Sequence, residues 1–390
     1  MPERAEVVAS VPYDTVDTDE ARKLAEGNPE SFLHIVRSEI DLPPGTDIHA
    51  DAVYAKAAEN LARFRSNGTL IEEETPCFYV YRQRMGDHVQ RGVVGCCHVD
   101  EYRNDLVRKH EKTRPDKEND RTRHMTTLEA HAGPVFTTYR DSAEIDAVVA
   151  EIEKSDPLFD FTARDGIAHT VWRVTDTATL VHAFGRVPLC YIADGHHRAA
   201  SAARAASEVE GPNGEQDWFE CVLFPASQLQ ILPYNRCVHD LNGLLPDELL
   251  AAAGKAFTVS EDVDPNPGGV GRISMYLDGK WHGLERSNGT RRTGDPTGDL
   301  DVSYLQENLL GPVLGVEDPR TDKRIEFIGG IRGTDELRAR VDDGRAAAAF
   351  SMFPVTVEQM MAIADAGMIM PPKSTWFEPK LRSGLLVHLM

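Results

Sequence analysis

The sequence predicts an α+β fold with mixed sheets, in which a core over residues 130–240 is flanked by N- and C-terminal segments. Three observations predict it. Val187-Pro188-Leu189-Cys190-Tyr191-Ile192-Ala193 is a continuous apolar run of the buried-strand kind, and the alanine-rich stretch 199–206 behind it reads as helix. Residues 166–174 alternate apolar and polar like a strand, whereas 142–154 place Ala, Ile and Val on one helical side. Residues 273–284 read as a hairpin turned by Asp278-Gly279.

At 390 residues the chain exceeds the size at which one hydrophobic core stops growing, which favours more than one subdomain. We divide it into an N-terminal α/β segment (1–129), the core (130–240) and a C-terminal α/β segment that completes the pocket (241–390).

Along the N-terminal segment, 6–14 look like a strand closed by Pro12 and Asp14, and 18–27 a helix capped by Thr18 and stopped by Gly27. Residues 50–66 have helical composition, and Phe78-Tyr79-Val80-Tyr81 with 92–97 reads as a strand pair. Run 109–123 is polar at almost every position, the pattern of a solvated loop or helix face. Strand character returns at Pro134-Val135-Phe136, and 177–184 fit a short helix. Beyond the core helix, 218–224 and 229–232 are strands, and 262–300 are rich in Gly, Pro and Asp, marking an insertion or seam. The tail offers strands at 325–328 and 347–352, helices at 335–342 and 356–366, and a loop at 370–380.

Composition narrows the classes. With 41% apolar and 27% charged residues the chain reads as an ordinary folded protein. Its 63 acidic and 42 basic residues give a formal charge of -21, which repels nucleic acid and suits solubility in a salty or acidic habitat. A basic-then-apolar leader is absent at Met1–Glu6, as is any run of about 18 apolar residues, so the expected location is cytoplasmic and no membrane partner is expected. The six cysteines form no C-x-x-C pair and read as buried free thiols.

The densest chemistry sits at Asp194-Gly195-His196-His197-Arg198, between the apolar strand and the alanine-rich helix. A helix starting there presents unpaired backbone N–H groups and the positive end of its dipole, a cradle for an anion. Gly195 lets backbone approach a ligand, Arg198 can fork onto phosphate or carboxylate, and His196 and His197 add donors that titrate near neutrality. Asp194 is either the helix cap or a ligand to a phosphate-bound magnesium ion. Adjacent histidines point apart, so the pair does not chelate a metal, and His34 and His169 read as structural.

The stretch Tyr191-Ile192-Ala193-Asp194-Gly195-His196-His197-Arg198-Ala199-Ala200-Ser201-Ala202 resembles the signature box of the ParB/sulfiredoxin-like superfamily, and in particular the family catalogued as domain of unknown function 1015. The likeness spans nearly the whole chain. It takes in Val11-Pro12-Tyr13-Asp14, Asn28–His34, Lys109–Thr113, Lys117–Arg121, Tyr234-Asn235-Arg236 and the closing Met370–Lys380.

This resemblance implies a ParB/sulfiredoxin-like core and kinship with kinases of free L-serine that use ATP or ADP and magnesium. It also implies an alternative, a nucleotide-binding switch module as in partition proteins. A phosphate-ester hydrolase would use the same groups with water as acceptor. The sulfiredoxin reading is weak, since that box carries a cysteine where this one has histidines. Nucleotide binding is expected of Asp194, Gly195, His196, His197, Arg198, Lys117, Arg121, Asn235, Arg236, Lys373 and Ser374. Catalytic roles are expected of Glu111, Glu118, His110 and His197, with Asp14 or Glu30 as weaker carboxylates, and no protein metal motif is expected.

Overall fold

The fold is that of a computed structural model, which describes residues 2–209, 212–287 and 294–390; 288–293 of the expected seam lie outside the described residues. It is mixed α and β with several sheets. The chain divides into two units, one of residues 1–229 with 379–390 and one of 230–378, so the seams fall at other places than the expected 129 and 240.

In the first unit an eight-stranded sheet runs in the order Val107–Arg108, Cys190–Asp194, Val135–Tyr139, Trp218–Pro225, His88–His98, Phe78–Met85, Ala168–Val174, Phe159–Thr162. It is mixed: the first two strands are parallel, as are the third and fourth, and every other pairing is antiparallel. Val80, Val93, Trp172, Phe219 and Ile192 pack with Ile145, Leu180, Ala199 and Ala202 of three helices in one cluster. A second cluster joins Val8, Ala21, Phe32, Ala57, Leu61 and Phe64 to Leu128 and Ala130.

The helix at Asp51–Ser66 and the strand pair Phe78–Met85 and His88–His98 follow the sequence reading. So do the helices Ala143–Ile152, capped by Ser142, and Ala178–Phe184. Several expectations are corrected. The strand expected at 6–14 is a short helix, Ala5–Val8, and a single bridge between Ser10 and Ser383, since Pro12 has no N–H to extend a ladder. Helix Thr18–Ala25 is capped by Asp17, which forms a reciprocal capping box with Glu20. The strand expected at 187–193 is confined to Cys190–Asp194 beyond Pro188, and the helix after it starts at His196, before the alanines. Run 109–123 is in part a helix, Pro115–Leu128, that buries Asp120, Thr122 and His124. Of the cysteines, all free, only Cys97, Cys221 and Cys237 are buried; Cys96 is exposed.

The second unit holds an antiparallel six-stranded sheet in the order Phe257–Glu261, Lys280–Arg286, Arg272–Leu277, Ala348–Met352, Tyr234–Val238, Ile325–Gly329. The predicted hairpin turns at Asp278 and Gly279, both at positive φ, as a two-residue turn with right-handed strand twist requires. The tail loop includes a short strand, Trp376–Glu378, paired with Gln230–Leu232. Among the described residues no helix is long and apolar enough to cross a membrane.

Five histidines of the first unit, His110, His124, His131, His169 and His196, are buried and pulled down to about 3, chiefly by burial. A group whose folded pKa is depressed stabilises above its unfolded pKa and loses that contribution as pH falls toward the folded value. Stability is therefore lost from near 6.5 downward, and Glu220 and Asp146, whose burial pushes their carboxyls up, oppose this in part. Acidification from pH 7.5 to 5 is expected to lower Tm by about 5 °C or more. A circular-dichroism melt unchanged over that range contradicts the assignment.

Candidate functional site

The box is built at a sharp change of backbone direction. Strand Cys190–Asp194 stops, Gly195 takes φ +91, and helix His196–Ala205 begins. Positive φ of that kind favours glycine. A Cβ at Gly195 would also lie 3.0 Å from Arg198 Nε, so the glycine makes room for the arginine.

Asp194 sits among cations. Its Oδ1 accepts the Gly195 N–H at 2.9 Å, its Oδ2 lies 2.8 Å from Lys380 Nζ and 3.9 Å from Arg198 Nη2. Burial alone would raise the carboxyl, but Lys380 and then Arg198 outweigh it and hold it well below the usual carboxylate range. Arg198 is buried, donates Nη1 to the carbonyl of Pro134, and lies 4.0 Å from Asp14 Oδ2. The guanidinium thus has two carboxylates near its Nη2.

Two neighbouring segments complete the site. Arg121 pairs with Asp120 at 2.7 Å and stacks over the Tyr13 ring at 4.2 Å, and burial raises the Tyr13 hydroxyl beyond its ordinary value. Asp120 also accepts from Tyr54 Oη at 2.7 Å. Segment 109–114 is tied to the box helix by its backbone, since His197 Nε2 accepts the Arg114 N–H at 3.1 Å and His196 Nε2 that of His110 at 3.4 Å. The His110 and His196 rings meet edge to face at 4.4 Å. Glu111 Oε2 lies 3.6 Å from His196 Nδ1, with its side chain 40% exposed. His197 is half-buried and shifted down, by burial first. Both histidines of the box are therefore neutral acceptors that fix the loop.

Of the expected residues, Asp194, Gly195, His196, His197, Arg198, His110 and Glu111 come together. Arg121 joins through Tyr13. Glu118 accepts from Thr113 Oγ1 at 3.0 Å in the first turn of helix Pro115–Leu128, where Lys117 also sits, so its carboxylate steadies the loop. Glu30 pairs with Arg4. Asn235, Arg236, Lys373 and Ser374 belong to the second unit, where Asn235 Oδ1 accepts the Met352 N–H at 3.0 Å and Ser374 Oγ donates to the Pro371 carbonyl at 2.7 Å. Those two side chains are committed to backbone.

Sequence reasoning missed Lys380 as a site residue. It lies 186 residues from Asp194, so no local spacing could find it. Its segment is clamped by a buried polar network: Gln83 Nε2 donates to the Lys380 carbonyl at 2.9 Å, and Gln90 Nε2 to Gln83 Oε1 at 2.9 Å. Arg382 Nε meets His169 Nε2 at 3.2 Å, and His169 Nδ1 meets Tyr81 Oη at 2.7 Å, so both ring nitrogens of His169 have partners. A groove of about 1560 Å³ in the same unit is lined by Tyr79, Cys96, Arg173 and Glu220 among others, and not by Asp194 to Arg198.

The chain belongs to the family described as protein of unknown function (DUF1015), whose profile matches residues 1–303. No curated protein matches the sequence. Among solved structures, the chain is similar to a free serine kinase in complex with AMP, at 13% identity and TM-score 0.38 over 75% of this chain and 92% of that one. It is also similar to SbnI from Staphylococcus aureus with a C-terminal truncation, at 12% identity and TM-score 0.39 over 76% and 87% of the two chains. A conserved hypothetical protein from Pyrococcus furiosus aligns at 12% identity and TM-score 0.35 over 75% and 95%.

The φ of Gly195 and its closeness to Arg198 define a test. Gly195→Ala is expected to destabilise by about 1–2 kcal/mol from backbone strain, seen as a Tm lower by a few degrees. A variant as stable as the parent would show that the turn relaxes freely.

Proposed function

We propose that this DUF1015 member is a nucleotide-dependent phosphotransferase that phosphorylates a small hydroxy amino acid, with free L-serine the acceptor its sequence resemblance implies. The observation that carries the proposal is the convergence of Arg198 and Lys380 on Asp194 at a helix N-terminus, with Asp14 beside Arg198. Two cations and free backbone N–H groups are what a pair of nucleotide phosphates needs for binding and for spreading charge in the transition state. The ParB/sulfiredoxin-like character of the core belongs to the same proposal.

Phosphoryl transfer breaks the bond from the terminal phosphorus to its bridging oxygen and forms one to the serine hydroxyl oxygen. Charge leaving with the nucleotide is met by Lys380 and Arg198. The hydroxyl proton passes to a carboxylate, and Glu111 is the one that is solvent-reachable beside the box histidines. His197 and His196, neutral, keep the loop carrying Glu111 in place.

The donor set suits magnesium. Among the described residues no group of three or more His, Cys, Asp or Glu could hold a metal ion. Magnesium is commonly held by one or two carboxylates together with substrate phosphates, and Asp194 and Asp14 provide that number. Bound there it would neutralise phosphate charge.

The test is magnesium-dependent turnover of ATP or ADP in the presence of L-serine, followed by phosphate nuclear magnetic resonance. Phosphoserine formation is expected; phosphate released to solution regardless of serine would make the protein a hydrolase, and no turnover with any hydroxy amino acid would end the proposal. Within it, Arg198→Met should weaken nucleotide binding about tenfold or more, whereas Glu111→Gln should keep binding and lower turnover by about 100-fold or more. Lost binding in Glu111→Gln, or normal turnover, would overturn these roles.

A further inference from the structure

The second unit contains a buried cation with no acidic partner among the described residues. Arg236, on strand Tyr234–Val238, is 4% exposed. Its cross-strand neighbours are Phe327 and Phe350, and its guanidinium carbon lies 5.4 Å from the Phe327 ring centroid. Its hydrogen bonds go to two main-chain carbonyls, Nη1 to Tyr234 and Nη2 to Lys373 at 3.3 Å. Burial pulls the guanidinium down to about 9, and no carboxylate of the described residues offsets it. Arginine is rarely buried unless paired, because an uncompensated charge in an apolar layer is costly.

The carbonyl that receives Nη2 belongs to a second cation. Lys373 is exposed and held at φ +54, a conformation uncommon for a residue with a Cβ. Its Nζ lies 3.5 Å from Tyr234 Oη and 5.3 Å from that ring. Trp376 packs edge-on against Tyr234 at 5.0 Å, in space left by Gly329, where a Cβ would come within 2.6 Å of the indole. Lys373, like Arg236, forms no ion pair with a carboxylate among the described residues.

We infer that Arg236 and Lys373 form an oxyanion site in the second unit, with Tyr234 Oη as an additional donor, taking a small phosphate or carboxylate group. An anion there supplies the countercharge that two carbonyl dipoles give only in part. The planar fork of arginine matches either group, and an exposed lysine beside it gives the anion a way in. The inference does not rest on the phosphotransferase reading, since it uses no residue of the box.

Trp376 provides a local signal. The full-length protein is titrated with inorganic phosphate and, separately, with acetate, following tryptophan fluorescence. A saturable change is expected with at least one anion, and which one responds identifies the group. Lys373→Ala should raise the half-saturating concentration about tenfold or more. Arg236→Lys, which keeps charge and loses the fork, should also weaken it, and if that variant does not fold, Lys373→Ala decides alone. Arg198→Met should leave the titration unchanged, because phosphate held by the box is a separate event. The inference is overturned by no saturable change with either anion, by Lys373→Ala titrating like the parent, or by a signal that survives Trp376→Phe.

Discussion

The Asp194 carboxylate is the fixed point of the first unit. It ends a buried strand, receives the backbone N–H that starts the box turn, and gathers Lys380 and Arg198 from opposite parts of the chain. A part-buried carboxylate is tolerable only because two cations and a backbone donor surround it. In turn, the carboxylate offsets the charge of both cations. The geometry is thus mutually dependent, and it leaves the positive end of a ten-residue helix facing a concentration of opposite charges.

Around that point, polar side chains act mostly on backbone. His196 and His197 hold segment 109–114, Gln83 holds the Lys380 carbonyl, and Arg198 holds Pro134. Neutral imidazoles suit this work, because a buried charged ring beside Arg198 would repel it. The result is a site in which most polar groups are committed to partners, while the Glu111 and Asp14 carboxylates stay partly exposed. Preorganisation of this sort is what charge stabilisation in a phosphoryl transfer demands.

The second unit follows another rule. Its sheet is wholly antiparallel and most of its inward positions are apolar, including Cys237, Tyr276, Ile328 and Ala349. Against that background Asn235 and Ser374 are explained by the backbone groups they satisfy. Among the described residues Arg236 bonds to carbonyls, which meet its hydrogen bonds but not its charge.

Local features were legible in the sequence. Apolar runs, alternation and an Asp-Gly turn placed most strands and helices, and a strand meeting a helix at Asp194-Gly195 made the box turn visible, because these signals depend on neighbours a few residues apart. Prolines misled where their effect is on pairing: Pro12 and Pro188 cut short strands whose side-chain pattern was sound. Only tertiary structure decided which charges meet. Lys380 reaches Asp194 across 186 residues, Asp14 reaches Arg198, and Asp120 takes up Arg121, while Glu118 turns back to its own loop. Such pairings follow from which backbones the sheet brings together, and a Coulomb interaction effective only over a few ångströms leaves no periodic trace in the chain that carries it.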